Sequence, residues 1–360
     1  MAKAHLRSLA DNEGSFPIHW AAKRDENGIL ELLLNNGADV NVQDSYGDTA
    51  LFLTESETTV ELLVKHGIEV NVKNEEGITA LINATTKGLD KIVELLVKNG
   101  ASMEEKDKLG NTALILAAKM DMLATATFLL QNGANVNAEN NEKSNALHYA
   151  VTQGEDMVRL LLDNGADLSA RNTKGNTPLL NSINKMKNEK MVEFLLDKGA
   201  DVNDKNDSRK MTVFQIAFTR IHFGGFKLVS LLLKKGADIS TTSAIHRSTL
   251  LRHAASEGDV EVAQLMLDNG AMVNVPDSEK NTPLHLAILN NQTAMVKLLA
   301  EKGAKINAKN LKGKTPLEIA TNEDIIQCLK ANGATDEPAG ETNNVDGDVD
   351  KDQQADSVAN

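Results

Sequence analysis

The chain has 360 residues, a formal net charge of -13, and 41% hydrophobic but only 3% aromatic residues. One core rarely grows past ~250–300 residues, so this length asks for several domains or for an array whose units pack on neighbours alone. The acidic balance argues against a general nucleic-acid binder, the single Cys328 excludes a disulfide framework and a Cys-based metal site, and no apolar run reaches the ~20 residues of a membrane helix.

In chain order, residues 1–14 (MAKAHLRSLADNEG) show no apolar h-region and read as an N-terminal cap segment without a secretory signal. Residues 15–335 then repeat one unit, and such repetition is sought before anything else. Each unit carries an apolar anchor: Ile18, Leu51, Leu81, Leu114, Leu147, Leu179, Phe214, Leu251, Leu284 and Leu317. Each also carries a glycine: Gly37, Gly67, Gly100, Gly133, Gly165, Gly199, Gly236, Gly270, Gly303 and Gly333. Glycine and next anchor are 14 residues apart in seven of nine cases and 15 in two, so that segment has a nearly fixed length.

Within a unit such as TPLHLAILNNQTAMVKLLAEKGAKINA, Thr282 is placed as an N-cap and Pro283 as the first helical residue. Thr holds the cap place in eight units, with Phe16 and Asn145 as exceptions. Three residues past the anchor stands Ala in eight units, and Thr54 or Ser182 in the others, small enough for two helices to approach closely. A second helix follows with apolar residues at helical spacing, as in Met295, Val296, Leu298 and Leu299. The glycine ends it in a left-handed conformation, and the next dozen residues read as a protruding β-hairpin.

Departures from the unit come in order too. The second unit, LFLTESETTVELLVKHG, reads as having lost most of its interhelical turn. The seventh carries extra residues at 220–226 (RIHFGGF), a candidate recognition loop centred on His222, Phe223 and Phe226. Lys210 and Arg247 stand where a turn glycine is usual, so a bent or loosened array is expected between about 200 and 250. Residues 336–360 hold eight acidic residues and one lysine without hydrophobic periodicity, and read as an acidic disordered tail.

No catalytic constellation emerges. His19, His148 and His285 stand one per distant unit, and His5, His66, His222, His246 and His253 show no metal-ligand spacing. GKT at 313–315 is not a phosphate-binding loop, because Ala308 stands where its first glycine is required. No GxSxG elbow or HExxH helix occurs. No cofactor and no metal are expected, and the chain reads as a non-enzyme.

The TPLH, Ala, Leu-rich helix and NGADVN elements together resemble the ankyrin repeat, over about residues 15–335 and about ten units. The resemblance implies an α solenoid: stacked helix-turn-helix repeats with short β-hairpin fingers at right angles and a concave binding face. It implies structural roles for His19, His148 and His285, bonded to neighbouring fingers. It also implies protein binding at finger tips and first-helix positions. The tip candidates are Ser45, Tyr46, Asp48, Glu75, Glu76, Lys108, Leu109, Asn111, Asn141, Glu142, Thr173, Lys174, Ser278, Glu279, Leu311 and Lys312. First-helix candidates are Lys119, Met120, Thr152, Gln153, Leu289 and Asn290, with Tyr46, Leu109, Met120 and Leu311 foremost for their apolar area. Asn41, Asn71, Asn137, Asn203 and Asn307 each follow a Leu by eight residues, a pattern resembling asparaginyl-hydroxylase substrates. The expected function is a monomeric protein-binding scaffold or adaptor, without nucleic-acid partners or membrane insertion. An inhibitor that sequesters a transcription factor, resembling the cytoplasmic inhibitors of NF-kappa-B, and an effector delivered into a host cell are the alternatives. The expected location is the cytoplasm, the nucleus also being open to it, or a host cytosol for an effector.

Overall fold

A computed structural model of the chain describes residues 10–183, 189–221, 225–240 and 242–335. Among them twenty helices fall into consecutive pairs. The first unit, Met1–Asp238, holds α1 (Pro17–Lys23) with α2 (Asn27–Asn35), α3 (Ala50–Leu53) with α4 (Glu57–Lys65), and α5 (Ala80–Lys87) with α6 (Asp90–Lys98). It continues with α7 (Ala113–Lys119) and α8 (Leu123–Gln131), α9 (Ala146–Ala150) and α10 (Glu155–Asp163), α11 (Pro178–Ile183) and α12 (Glu189–Asp197), and α13 (Val213–Phe218) and α14 (Phe226–Lys234). The second unit, Ile239–Asn360, holds α15 (Ala244–Glu257) with α16 (Val260–Asp268), α17 (Pro283–Leu289) with α18 (Thr293–Glu301), and α19 (Pro316–Ile319) with α20 (Glu323–Ala331). The division between the units falls at 238/239, inside the irregular stretch 200–250.

Inside each unit, first helices pack on the first helices of the next pair, and second helices on second helices. The reason is a fixed pattern on each second helix. Its fourth residue (Val60, Val93, Ala126, Val158, Val192) and its seventh (Leu63, Leu96, Leu129, Leu161, Leu195) are fully buried. The chain termini reveal which neighbour covers which position. In α2 the fourth residue, Leu30, is buried, while Leu33, the seventh, is only half-buried. In α20 the seventh, Leu329, is buried, and the fourth, Ile326, is not. Position four therefore faces the following pair and position seven the preceding one. Each fully buried Leu contributes about 1.5–3 kcal/mol, and none of it is available to a unit standing alone. Ile29 shows the same: the third residue is buried in α6, α10 and α12 (Ile92, Met157, Met191), but Ile29, with no described pair before it, is 51% exposed.

The small residue three past the anchor is buried from Ala21 and Thr54 through Ala117 and Ser182 to Ala287, while Ala320 of the last repeat is half-buried. All ten helix-closing glycines sit at φ between 83° and 97°, where a side chain would be strained. Gly37 shows the closure: its N–H donates to Leu34 O (3.0 Å), and the Ala38 N–H to Leu33 O (3.0 Å).

Four local expectations need correction. The second unit of the repeat keeps its interhelical turn, Thr54–Ser56; what shortens is helix α3, four residues long. Thr54 is extended, its Oγ1 accepts from the Ser56 N–H (3.1 Å), and Ser56 caps α4, so the helix is cut short by this turn. Thr249 is not a cap: α15 starts after Ser243 and absorbs both Arg247 and Thr249, with Thr249 Oγ1 donating to Ile245 O (3.1 Å). Lys210 does take the turn-glycine conformation (φ 53°), as do Lys143 and Lys280. Finally, the fingers contain no strand among the described residues, only two isolated antiparallel bridges, Lys73–Thr79 and Lys205–Thr212. Within a finger the backbone closes a tight turn, as in Asp44 N–H to Asp48 O (3.0 Å) and Asp107 N–H to Asn111 O (3.1 Å), and its other groups bond to Asx side chains and to neighbouring fingers.

Candidate protein-binding surface

Most fingers turn around one Asp or Asn whose Oδ1 accepts two backbone N–H groups, two and four residues on; at Asn206 the donors are three and five residues on, Arg209 and Met211. Asp44 accepts from Tyr46 and Asp48, Asn74 from Glu76 and Ile78, Asp107 from Leu109 and Asn111, and Asn140 from Glu142 and Ser144, at 2.8–3.0 Å. An Asx side chain thus replaces the ladder partner that a strand would need. Successive tips are also tied together. In the first unit Glu75 N–H donates to Tyr46 O (2.9 Å), Asn141 N–H to Leu109 O (3.0 Å), and Thr173 N–H to Glu142 O (2.8 Å). In the second unit Leu311 N–H donates to Glu279 O (2.9 Å).

A second set of bonds runs along the finger bases. Asn71 Nδ2 donates to Gly100 O (3.0 Å) while its Oδ1 accepts from Ser102 N–H (2.8 Å). Asn137 spans Gly165 O and Asp167 N–H in the same way, Asn203 spans Gly236 O and Asp238 N–H, and Asn307 spans Gly333 O and Thr335 N–H. Asn41 Oδ1 accepts from Glu69 N–H (2.7 Å). These five asparagines are the hydroxylation candidates, and in the folded chain their amides staple neighbouring repeats. Asn274, which the Leu spacing does not find, does the same with Gly303 O and Lys305 N–H.

The three TPLH-position histidines lock fingers to first helices. The Nδ1 atoms of His19, His148 and His285 accept from the N–H of Phe16, Asn145 and Thr282 (3.0–3.3 Å). Their Nε2–H groups donate to the carbonyls of Val42, Asn176 and Lys314 (3.0–3.2 Å). That pattern requires the neutral ring protonated on Nε2. Burial, the largest influence, holds all three below the ordinary histidine pKa.

Against this frame most tip candidates are exposed, Asn141 Nδ2 also donating to Lys108 O (2.9 Å) of the preceding finger. Ser45, Glu75, Glu76, Lys108, Asn141, Glu142, Thr173 and Lys174 are exposed in the first unit, and Ser278, Glu279 and Lys312 in the second. Tyr46 is 59% exposed, Leu109 64% and Leu311 60%. Met120 at 46% stands at the end of α7, beside the exposed Leu123 that starts α8. Leu123 was missed because its place in the pattern reads as helical interior. Two candidates are withdrawn from the surface. Asn111 is 3% exposed, and its Oδ1 accepts from Asn140 Nδ2 of the next finger (2.9 Å). Asp48 is half-buried and accepts from Asn74 Nδ2 (2.9 Å). Both are internal links because the finger's fourth turn position points at its neighbour.

First-helix candidates Lys119, Gln153, Leu289 and Asn290 are exposed and Thr152 is half-buried; Gln153 Nε2 donates to Lys119 O (3.0 Å), tying adjacent helices. The recognition-loop candidates divide. His222 and Phe223 lie outside the described residues. Phe226 opens α14 and is 6% exposed, because its ring occupies the first turn of a packed helix, so it is core. Cys328 is half-buried on α20. Among the described residues no cluster of His, Cys, Asp or Glu fits a metal ion, and no helix is long and apolar enough to cross a membrane.

Comparison with known proteins agrees with this architecture. A family model described as "Ankyrin repeats (3 copies)" matches residues 2–74, 53–140, 135–206 and 214–310. An ankyrin repeat-containing protein, P1E11.10 of Schizosaccharomyces pombe, is 38% identical over 48 residues, 13% of this chain and 23% of the relative. The match thus spans under a quarter of that relative's length. Paired helices closed by left-handed glycines, histidine-locked fingers and a family match over most of the sequence lead to one conclusion: the chain belongs to the ankyrin repeat family, whose members generally serve as protein–protein interaction modules.

Proposed function

We propose that the chain is a non-catalytic scaffold or adaptor that binds partner proteins on its finger tips and the exposed ends of its first helices. The observation that carries this reading is the exposure of Tyr46 and Leu109 on turns whose carbonyls accept from the next finger, Glu75 N–H to Tyr46 O and Asn141 N–H to Leu109 O. Large apolar groups held out on rigid turns have no packing role. Rigid presentation also lowers the ordering entropy spent on association, and buried aromatic anchors dominate interface energetics. The test is affinity capture from the source cells with the full chain and with Tyr46→Ser/Leu109→Ser. A partner retained by the first and lost by the second, with unchanged circular dichroism, supports the reading. Identical capture by both refutes the tips as the binding surface.

A further inference from the structure

The stretch 302–314 is unlike the rest of the array. Lys302, Lys305, Lys309, Lys312 and Lys314 occur there with no Asp or Glu, whereas every other finger carries at least one carboxylate between its closing glycine and the next anchor. All five lysines are exposed. Lys302 pairs with Asp268 (3.0 Å) and Lys314 with Glu318 (3.5 Å). Lys305, Lys309 and Lys312 have no ion pair with a described carboxylate.

The first unit shows what such a finger ordinarily meets. The residue just before the turn Asx reaches forward to the next finger. Lys73 Nζ donates to Lys106 O (3.3 Å) and pairs with Glu105 (2.8 Å). Lys106 Nζ donates to Glu139 O (2.7 Å). Arg171 donates to Lys205 O (2.9 Å) and pairs with Asp204. Glu105 and Asp204 each stand five residues after a helix-closing glycine, Gly100 and Gly199. Lys309 holds the same place before Asn310 in the last finger.

The chain also leaves the described residues at this spot. Thr335 N–H donates to Asn307 Oδ1 (3.3 Å) and Asn307 Nδ2 to Gly333 O (3.0 Å), the staple that Asn71 makes with Ser102 and Gly100. Asp336 and Glu337 follow, three and four residues past Gly333, heading a segment of eight carboxylates and one lysine. We propose that the lysine face of the last finger, Lys305, Lys309 and Lys312, is a docking site for the chain's own acidic segment 336–360. Charge complementarity and the exit point both select this occupant. Twenty-five residues reach up to ~80–90 Å extended, so length does not limit contact. A short tether holds the segment at an effective concentration of order millimolar, which lets individually weak exposed ion pairs add up. Such a cover is sensitive to salt, and an acidic segment of another protein displaces it. The inference does not depend on the tips being the binding surface.

The test is zero-length carbodiimide cross-linking of the full chain at low salt, read by mass spectrometry, on a mixture of isotopically heavy and light protein. Expected are same-chain cross-links from 336–360 concentrated on Lys305, Lys309 and Lys312, about fivefold or more above those to exposed Lys65 and Lys143, and suppressed near 1 M NaCl, where the screening length is ~3 Å. Cross-links spread over all exposed lysines, or found only between heavy and light chains, overturn the proposal. A second readout uses a fluorescent oligoglutamate peptide. The chain with its 336–360 carboxylates changed to amides should bind it about tenfold more tightly than the unaltered chain, since the intramolecular competitor is gone. Equal affinities also overturn it.

Discussion

Replacing Asn140 by Ala probes the finger staple at its most bonded point. The Asn140 side chain accepts from the N–H of Glu142 and Ser144 (2.9 Å each) and donates to Asn111 Oδ1 (2.9 Å) and the Tyr149 hydroxyl (2.8 Å). Its residue is 8% exposed, and Ser144 and Asn111 are buried with it. Four bonds at a net ~1 kcal/mol each, less what water recovers at the exposed Glu142 N–H, place the loss at about 3–4 kcal/mol. Asn140→Asp is the control. It keeps both accepted bonds, as Asp44, Asp107 and Asp277 do in their own fingers, and gives up only the donations, for about 1–2 kcal/mol. The assay is native-state hydrogen exchange of the full chain, because arrays unfold in parts and a single global midpoint hides a local loss. Protection of the Glu142 and Ser144 amides should collapse in Asn140→Ala and persist in Asn140→Asp. If both variants lose protection equally, or neither does, the Asx side chain is not what holds the finger.

Other outcomes follow from the same geometry. Asn145 stands where Thr caps other repeats, and its buried Nδ2 has no partner among the described residues, so Asn145→Thr should raise stability by about 1 kcal/mol in urea unfolding. Gly133→Ala should cost only backbone strain, about 1 kcal/mol, since nothing lies within 4 Å of an added Cβ. Gly110→Ala should cost several-fold more, its Cβ falling 2.6 Å from the Asn141 backbone nitrogen; equal losses in thermal melts would contradict that contact. His19, His148 and His285 are held below the ordinary histidine pKa by burial, so the unfolded chain takes up protons that the folded chain refuses. Stability is therefore full above about pH 6.5 and falls as pH drops below it, and a chain with His148→Gln should lose part of that slope.

The repeat period, the capping Thr and Pro residues, the closing glycines and the small first-helix residues were all readable in the linear sequence. Each is set by a local requirement: a φ sign, a missing N–H, or a spacing of apolar residues. The exposed tips Tyr46, Leu109 and Leu311 were readable as well, because turn position alone orients them. Asn111 and Phe226 were misplaced for one shared reason. Whether a polar turn residue or an aromatic at a helix start faces solvent depends on the neighbouring repeat or helix, and that neighbour lies tens of residues away. The loss of strand pairing in the fingers, the conversion of the eighth finger into the start of α15, and the division at 238/239 likewise belong to tertiary structure. Local propensity proposes a turn or a helix, but only the hydrogen bonds offered by an adjacent repeat decide which of them forms.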